Sequence, residues 1–421
     1  MLLKNCKIFQ NNTFVYRDIL IKNKKIVNID ENINNIDCKI IDVNGKFVSA
    51  GFIDVHVHFR EPGFENKETI KTGTLAASRG GYTTVMTMPN LNPVPDIYEN
   101  LKKQLDIIKK DAIIRVIPYA SITKGEDGKE YVDFESLREY VFGFSDDGRG
   151  VQSSEVMYKA MQCAKKVNKP IVAHCEDDSL IFGGSIHKGK KSKELAVKGI
   201  PSCCESVQVA RDILLAKEIG CHYHICHIST KESVDLVRMA KKWGINVTCE
   251  VTPHHLISTE DDVTNIGYWK MNPPLRTLED KKALIDGIID GTIDIIATDH
   301  APHTEFEKNI ELEKSSFGIV GLETAFSLLY TKLVKENIIS LEKLVNLMTK
   351  NVSNIFNLSY GKLEIGCNAD LCVIDLEKKY KINSNEFFSK GKNTPYNDLE
   401  VYGKIELTIY DGEIVYENKE V

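Results

Sequence analysis

Long apolar runs are missing from this chain of 421 residues. None reaches the ~18 to 20 residues that a helix needs to span a bilayer, so no membrane span is expected. The start, "MLLKNCKIFQNNTF", has no apolar core of signal-peptide length and no small-residue cleavage site, which points to a cytoplasmic protein. A basic block is missing as well. The formal net charge is -6, and acids and bases are spread along the chain. That leaves no evident surface for nucleic acid or for an anionic membrane. Nor is there a cysteine framework. The 11 cysteines are scattered and odd in number, and adjacent Cys203 and Cys204 are badly placed to bridge each other. Most should be buried thiols in a reducing compartment. Low-complexity tracts and short repeats are also absent. What is present is ordinary for a globular protein, with 42% hydrophobic and 27% charged residues. The length suffices for one large barrel and an accessory part.

The two ends read alike. "KNCKIFQ", "RDILIKNKKIVNI" and "CKIIDVNGKFVSAG" open the chain; "KLEIGCNADLCVIDLE" and "KIELTIYDGEIVYE" close it. These are short strands with "NG" and "DG" turn signals. Neither end alone offers much core, so residues 1–50 and 357–421 are expected to form one small β-sandwich domain. Between them, residues 51–356 alternate β-branched runs with helix-length amphipathic segments. The runs are "GFIDVHVH", "YTTVMTMP", "IIRVIPYAS", "EYVFGFS", "PIVAHCE", "CHYHICHI", "INVTCEVTP" and "TIDIIATDH". Eight such units predict a (β/α)8 barrel with its active site at the C-terminal ends of the strands.

Polar, metal-capable residues fall at those ends. His56 and His58 end the first strand, Asp147 follows the fourth, His174 ends the fifth, His227 the sixth, and Asp299 and His300 the eighth. A lone strand histidine is usually structural; five coincident placements are hard to explain that way. Side chains two apart on a strand share a face, so His56 and His58 can grip one ion while Val55 and Val57 face the helices. Histidine nitrogen with carboxylate oxygen suits zinc, manganese or cobalt. The set exceeds one tetrahedral site and fits two ions sharing a bridging carboxylate and hydroxide better. In "CHYHICHIST", parity puts Tyr223 and Ile225 inside the barrel with His227 last at the mouth, and leaves His222 and His224 structural. A zinc knuckle from Cys221 and Cys226 lacks a second half nearby. His254 and His255 in "TPHHL" stand as supporting or structural candidates. In "VFGFSDDG", parity sends Phe142, Phe144 and Asp146 toward the helices and Asp147 inward.

Taken together, "GFIDVHVHFREPG", "TMPN", "FSDDG", "HCED", "HICHIST", "EVTPHHL", "TDHAPH" and "FGIVGLET" resemble the amidohydrolase superfamily, and specifically its class I dihydroorotases. The resemblance runs from about Gly51 to "NVSNIFNL", and "HFREPG" with "TDHAPH" is its most specific part. It implies two zinc ions per subunit, bridged by Asp147 and a hydroxide. His56 and His58 match ligands of the more buried ion, His174 and His227 those of the second. Asp299 matches both a ligand and the general acid/base. Arg60, Asn90 and His303 match residues that hold the substrate carboxylate; Asn272 matches a further contact, and Phe317 and Gly318 match backbone contacts to the ring. The implied reaction is the reversible cyclisation of N-carbamoyl-L-aspartate to L-dihydroorotate, in pyrimidine synthesis. A homodimer and association with aspartate transcarbamoylase stay open under it. Two rival readings remain. Dihydropyrimidinases, hydantoinases and allantoinases mostly resemble a pattern with a carboxylated lysine after the fourth strand, and no lysine stands between Lys129 and Lys159. An inactive partner of aspartate transcarbamoylase would have lost ligand positions, and all are intact here.

Overall fold

A computed structural model describes residues 1–10, 13–34 and 37–419. Its middle is a closed ring of parallel strands. Phe52–Val57, Tyr82–Thr87 and Arg115–Pro118 pair in that order. Ile171–Ala173, Tyr223–Ile225, Val247–Val251 and Ile295–Ile296 continue it. A parallel bridge from His300 back to Val57 closes the barrel. The fourth strand is the exception. "EYVFGFS" forms only single bridges, from Phe144 to Ala120 and to Ile171. Its neighbours carry prolines: Phe142 N–H donates to Pro118 O and Phe144 N–H to Pro170 O, and neither proline can donate in return.

Helices return the chain outside the ring, and their ends follow local chemistry. Ser153, Thr230 and Thr277 accept backbone N–H bonds at the starts of Ser154–Lys166, Lys231–Lys242 and Leu278–Asp290. Gly220 and Gly291 end Cys203–Ile219 and Leu278–Asp290 in the left-handed region. Among the described residues, no helix is long and apolar enough to cross a membrane.

Strands from both termini join in one eight-stranded mixed sheet, in which Leu371–Lys381 pairs with Phe47–Ala50 and Leu2–Gln10 pairs with three other strands of the N-terminal segment. Leu3, Ile8, Ile19, Leu371, Val373 and Ile409 share an apolar core there. The sheet's other residues, such as Cys372, Ile374 and Ile405, pack into the barrel's helical layer beside Phe52 and Phe326. This architecture is the expected α/β barrel with a small β domain built from both termini.

Facing within the barrel departs from simple alternation. Ile53, Val55, Met86, Tyr119, Phe142, Val172, Cys226 and Ala297 share the interior cluster. Tyr223 and Ile225, expected inside, pack in the helical layer, where the Tyr223 hydroxyl donates to Asp212. Val55, expected outside, is interior. Phe144 stacks on Phe134 among the helices, whereas Phe142 turns inward against Tyr119 and Phe356. The cause is irregular backbone near the strand ends. The pairing register slips between Asp54 and Val57, and His227 sits at φ 29° two residues after its strand has ended. Period-two alternation cannot be carried across either point.

Candidate active site

The six proposed ligands converge at the C-terminal mouth of the ring, all buried. Asp147 is central. Its Oδ1 lies 3.2 Å from His56 Nε2 and its Oδ2 3.3 Å from His58 Nε2. The same Oδ1 lies 3.7 Å from His227 Nε2 and 3.8 Å from His174 Nδ1. Asp299 Oδ1 stands 3.0 Å from His58 Nε2 and 3.5 Å from His56 Nε2. Two triads, His56 with His58 and Asp299, and His56 with Asp147 and His227, bring their donor atoms within 4.8 Å of one another.

His56 Nε2 and Asp147 Oδ1 are buried without a hydrogen-bond partner. Each such atom costs about 1–3 kcal/mol, a penalty that a shared cation removes. Nitrogen and oxygen donors around one carboxylate suit a divalent ion of the zinc type. The electrostatics agree. Burial opposes ionisation of Asp147, yet neighbouring His56, His227 and His58 hold it well below the usual carboxylate range. Burial likewise opposes Asp299, but His58, His56 and His227 bring it down to about 2.

Supporting groups orient this cluster. Glu250, on the seventh strand, meets His56 Nδ1 at 2.6 Å and His224 Nε2 at 3.1 Å. Glu176 Oε2 lies 3.3 Å from His174 Nε2 and accepts from Asn272 Nδ2 at 3.0 Å. Carboxylates behind histidines fix ring orientation and raise basicity. Neither glutamate was singled out from the sequence, although both stand inside quoted motifs, two residues after His174 in "HCED" and in "CEVTP". His222 and His224 both bond Thr248. His255 bonds Thr252 and Pro273 O through its two nitrogens, a structural arrangement. Cys226 lies inside the barrel and Cys221 in the helical layer, so the two face apart.

The predicted substrate contacts lie around the cluster, Asn90 beside His58 and Asn272 beside Glu176. Arg60 stands two residues beyond His58. The strand stops at Val57, and Arg60 reaches the site through a left-handed turn at φ 58°. Its Nε donates to Pro302 O at 3.3 Å, beside His303. Asn90 accepts from His58 Nδ1–H at 2.9 Å, which leaves its Nδ2 free for a ligand. Asn272, spending its Nδ2 on Glu176, keeps Oδ1 free. Gly318 sits at φ 124°, and a Cβ there would lie 2.6 Å from that of Ala301. Gly318 N–H donates to Lys270 O, and Phe317 O accepts from His303 Nε2–H at 2.8 Å. Those backbone groups are already bonded, so contacts to a ring require an exchange of partners.

A further residue comes from far along the chain. The segment after Leu371–Lys381 leaves the sheet and crosses to the mouth. There Asn393 accepts from His303 N–H at 3.1 Å and donates to Ala301 O and Gly318 O at 3.0 and 3.1 Å. Nothing in local sequence links positions 303 and 393.

Comparison with known proteins fits this geometry. A sequence model described as Dihydro-orotase-like matches residues 45–233. A protein of Fusobacterium nucleatum named Dihydroorotase is 63% identical, with 100% of this chain and 99% of the relative covered. One of Macrococcus caseolyticus with the same name is 54% identical over 99% of this chain and 98% of the relative. Among solved structures, an L-hydantoinase (dihydropyrimidinase) from Arthrobacter aurescens superposes with TM-score 0.89 at 26% identity, covering 100% of this chain and 96% of the other. A dihydropyrimidinase from Brevibacillus agri gives 0.86 at 19%, over 100% and 95%, a likeness of fold alone.

Proposed function

Because the chain belongs to the dihydroorotase family and is a cyclic amide hydrolase, we propose that it interconverts N-carbamoyl-L-aspartate and L-dihydroorotate with two zinc ions. The observation that carries this reading is one carboxylate, Asp147, set among four histidines with Arg60, Asn90 and His303 alongside. His56, His58 and Asp299 would hold one ion, His174 and His227 the other, and Asp147 both. When bound, the ions polarise the amide carbonyl and lower the pKa of water from ~15.7 toward ~7.

The chain's own residues do the rest. Arg60 offers a planar two-pronged donor to the ring carboxylate. Asn90 adds its free Nδ2, and Asn272 Oδ1 can accept a substrate N–H. In the hydrolytic direction a water attacks the ring carbonyl. Asp299 takes one of the water's protons at its carboxylate and passes it to the leaving ring nitrogen; the ring C–N bond breaks, and the new carboxylate keeps the water oxygen and releases the second proton to solvent. In the cyclising direction Asp299 takes a proton from the carbamoyl nitrogen as that nitrogen closes on the carboxyl carbon, then returns it to the departing carboxyl oxygen, whose C–O bond breaks and which leaves as water with a second proton from solvent. The Asp299 backbone lies at φ 50°, a left-handed conformation that holds its carboxylate across from His58. The 11 free thiols suit a reducing compartment such as the cytoplasm.

Metal-replete protein assayed on dihydroorotate, dihydrouracil, hydantoin and allantoin tests the reading. Turnover of dihydroorotate is expected; preference for any of the other three would overturn it. Arg60→Ala should raise KM for dihydroorotate by roughly 10- to 100-fold, the worth of one or two charge-assisted hydrogen bonds, with a smaller change in kcat. An unchanged KM would remove Arg60 from the carboxylate subsite.

A further inference from the structure

We propose that Lys67, braced by Glu307, is a positioning residue that fixes the tautomer of His303 with its proton on Nε2, the nitrogen that meets the substrate carboxylate. This rests on the substrate reading above for its kinetic consequence, and on hydrogen-bond geometry for the tautomer itself.

Four groups surround the ring. Phe317 O lies 2.8 Å from Nε2. A carbonyl only accepts, so Nε2 carries the proton. Lys67 Nζ lies 3.3 Å from Nδ1. An ammonium only donates, so Nδ1 presents its lone pair. Arg60 Nη2 lies 3.3 Å from Nε2 and would favour the opposite tautomer. That tautomer would set a lone pair against Phe317 O and an N–H against the Lys67 ammonium. Two contacts outweigh one, and the carbonyl contact is the shortest of the three. Glu307 Oε2 stands 3.7 Å from Nδ1, beyond hydrogen-bond reach.

Lys67 does not sit there by chance. Its Nζ is 2.6 Å from Glu307 Oε1. Glu307 in turn accepts from Thr304 N–H at 3.0 Å and from the Thr304 hydroxyl at 2.7 Å, at the start of the turn after the eighth strand. The chain Thr304–Glu307–Lys67–His303 therefore runs from a fixed backbone to Nδ1. Burial, with Arg60, Lys67 and Lys308 around it, also pushes the imidazole down to about 2, so a doubly protonated ring does not compete.

The consequence is an exchange at one atom. An arriving carboxylate takes the Nε2–H bond from Phe317 O. The released carbonyl is then free to accept from the substrate ring. Without Lys67, Nδ1 can hold the proton and Nε2 meets the carboxylate as a lone pair, which repels it.

The test uses full-length, metal-replete protein labelled with 15N-histidine, with His303 identified by its loss in His303→Asn. A pyridine-type shift at Nδ1 and a pyrrole-type shift at Nε2 are expected. In Lys67→Met the two nitrogens should move toward mixed values, and KM for dihydroorotate should rise roughly 10-fold while kcat changes less. Lys67→Arg should restore both readouts in large part, and Glu307→Gln should reproduce a weaker form of the Met effect. A proton on Nδ1 in the unmodified protein overturns the proposal. So does a folded Lys67→Met protein with unchanged shifts and KM. Should the protein fail to turn over dihydroorotate, the substrate reading falls, and the nitrogen shifts still decide the tautomer.

Discussion

Replacing Asp299 lowers turnover by at least about 10²- to 10⁴-fold, the ordinary worth of a placed general acid/base. The loss should be larger if the carboxylate also holds an ion. Two variants separate chemistry from backbone. The native residue sits at φ 50°. Alanine tolerates that region poorly, whereas asparagine is among the few residues enriched there. Asp299→Asn keeps size, shape and backbone preference but cannot take a proton. Both variants should lose turnover, and the Asn protein should keep the native melting temperature more closely. Appreciable dihydroorotase activity in Asp299→Asn would remove Asp299 as the base. Burial works against the charge, yet the surrounding histidines keep this carboxylate ionised, so it starts without a proton; the same lowering weakens it as a base, and the assignment rests on its position beside His58.

What could be read from the sequence divides along physical lines. The alternation of β-branched runs with amphipathic segments marked the barrel, because a strand buried on both faces and a half-buried helix differ in composition over many residues. Histidines and aspartates at the ends of those runs marked the mouth. Their convergence on Asp147 required only that the strands close into a ring. Which way individual strand residues face was not readable. The sixth strand has three residues, Tyr223–Ile225. His227 follows it at φ 29°, and the first strand slips register before His58. Parity counted back from a ligand across such a bend inverts, which is why Tyr223, Ile225 and Val55 were misplaced. Residues that act through another residue stayed hidden for a different reason. Lys67, Glu250 and Asn393 carry no spacing signal. Asn393 reaches His303 across 90 positions of chain, and only the folded sheet brings that segment over the mouth.

The adjacent pair Asp146 and Asp147 gives the sharpest contrast, because one residue apart the two carboxylates face different worlds. Asp146 turns from the cluster to the loop after the third strand. It accepts from Ile122 N–H at 2.7 Å, from Thr123 N–H at 3.0 Å and from the Thr123 hydroxyl. In Asp146→Asn the amide oxygen can keep the two backbone bonds, and the threonine hydroxyl can turn to accept from the new NH2. The expected cost is about 1 kcal/mol of stability, with metal content preserved. Asp147 uses both oxygens toward histidine nitrogens, and Oδ1 has no hydrogen-bond partner of its own. Asp147→Asn replaces one of those oxygens with an amide NH2, which cannot bind a cation, and removes a negative charge from among the four histidines. Metal affinity should fall by more than the roughly 10- to 100-fold that changes to supporting groups cost. Metal analysis after dialysis of the two purified variants reads the difference directly. Equal retention, or equal loss, would mean that Asp147 does not join the ions, and the two-ion arrangement would have to find its bridge elsewhere. With no lysine between positions 129 and 159, this part of the chain has no carboxylated lysine to offer in its place.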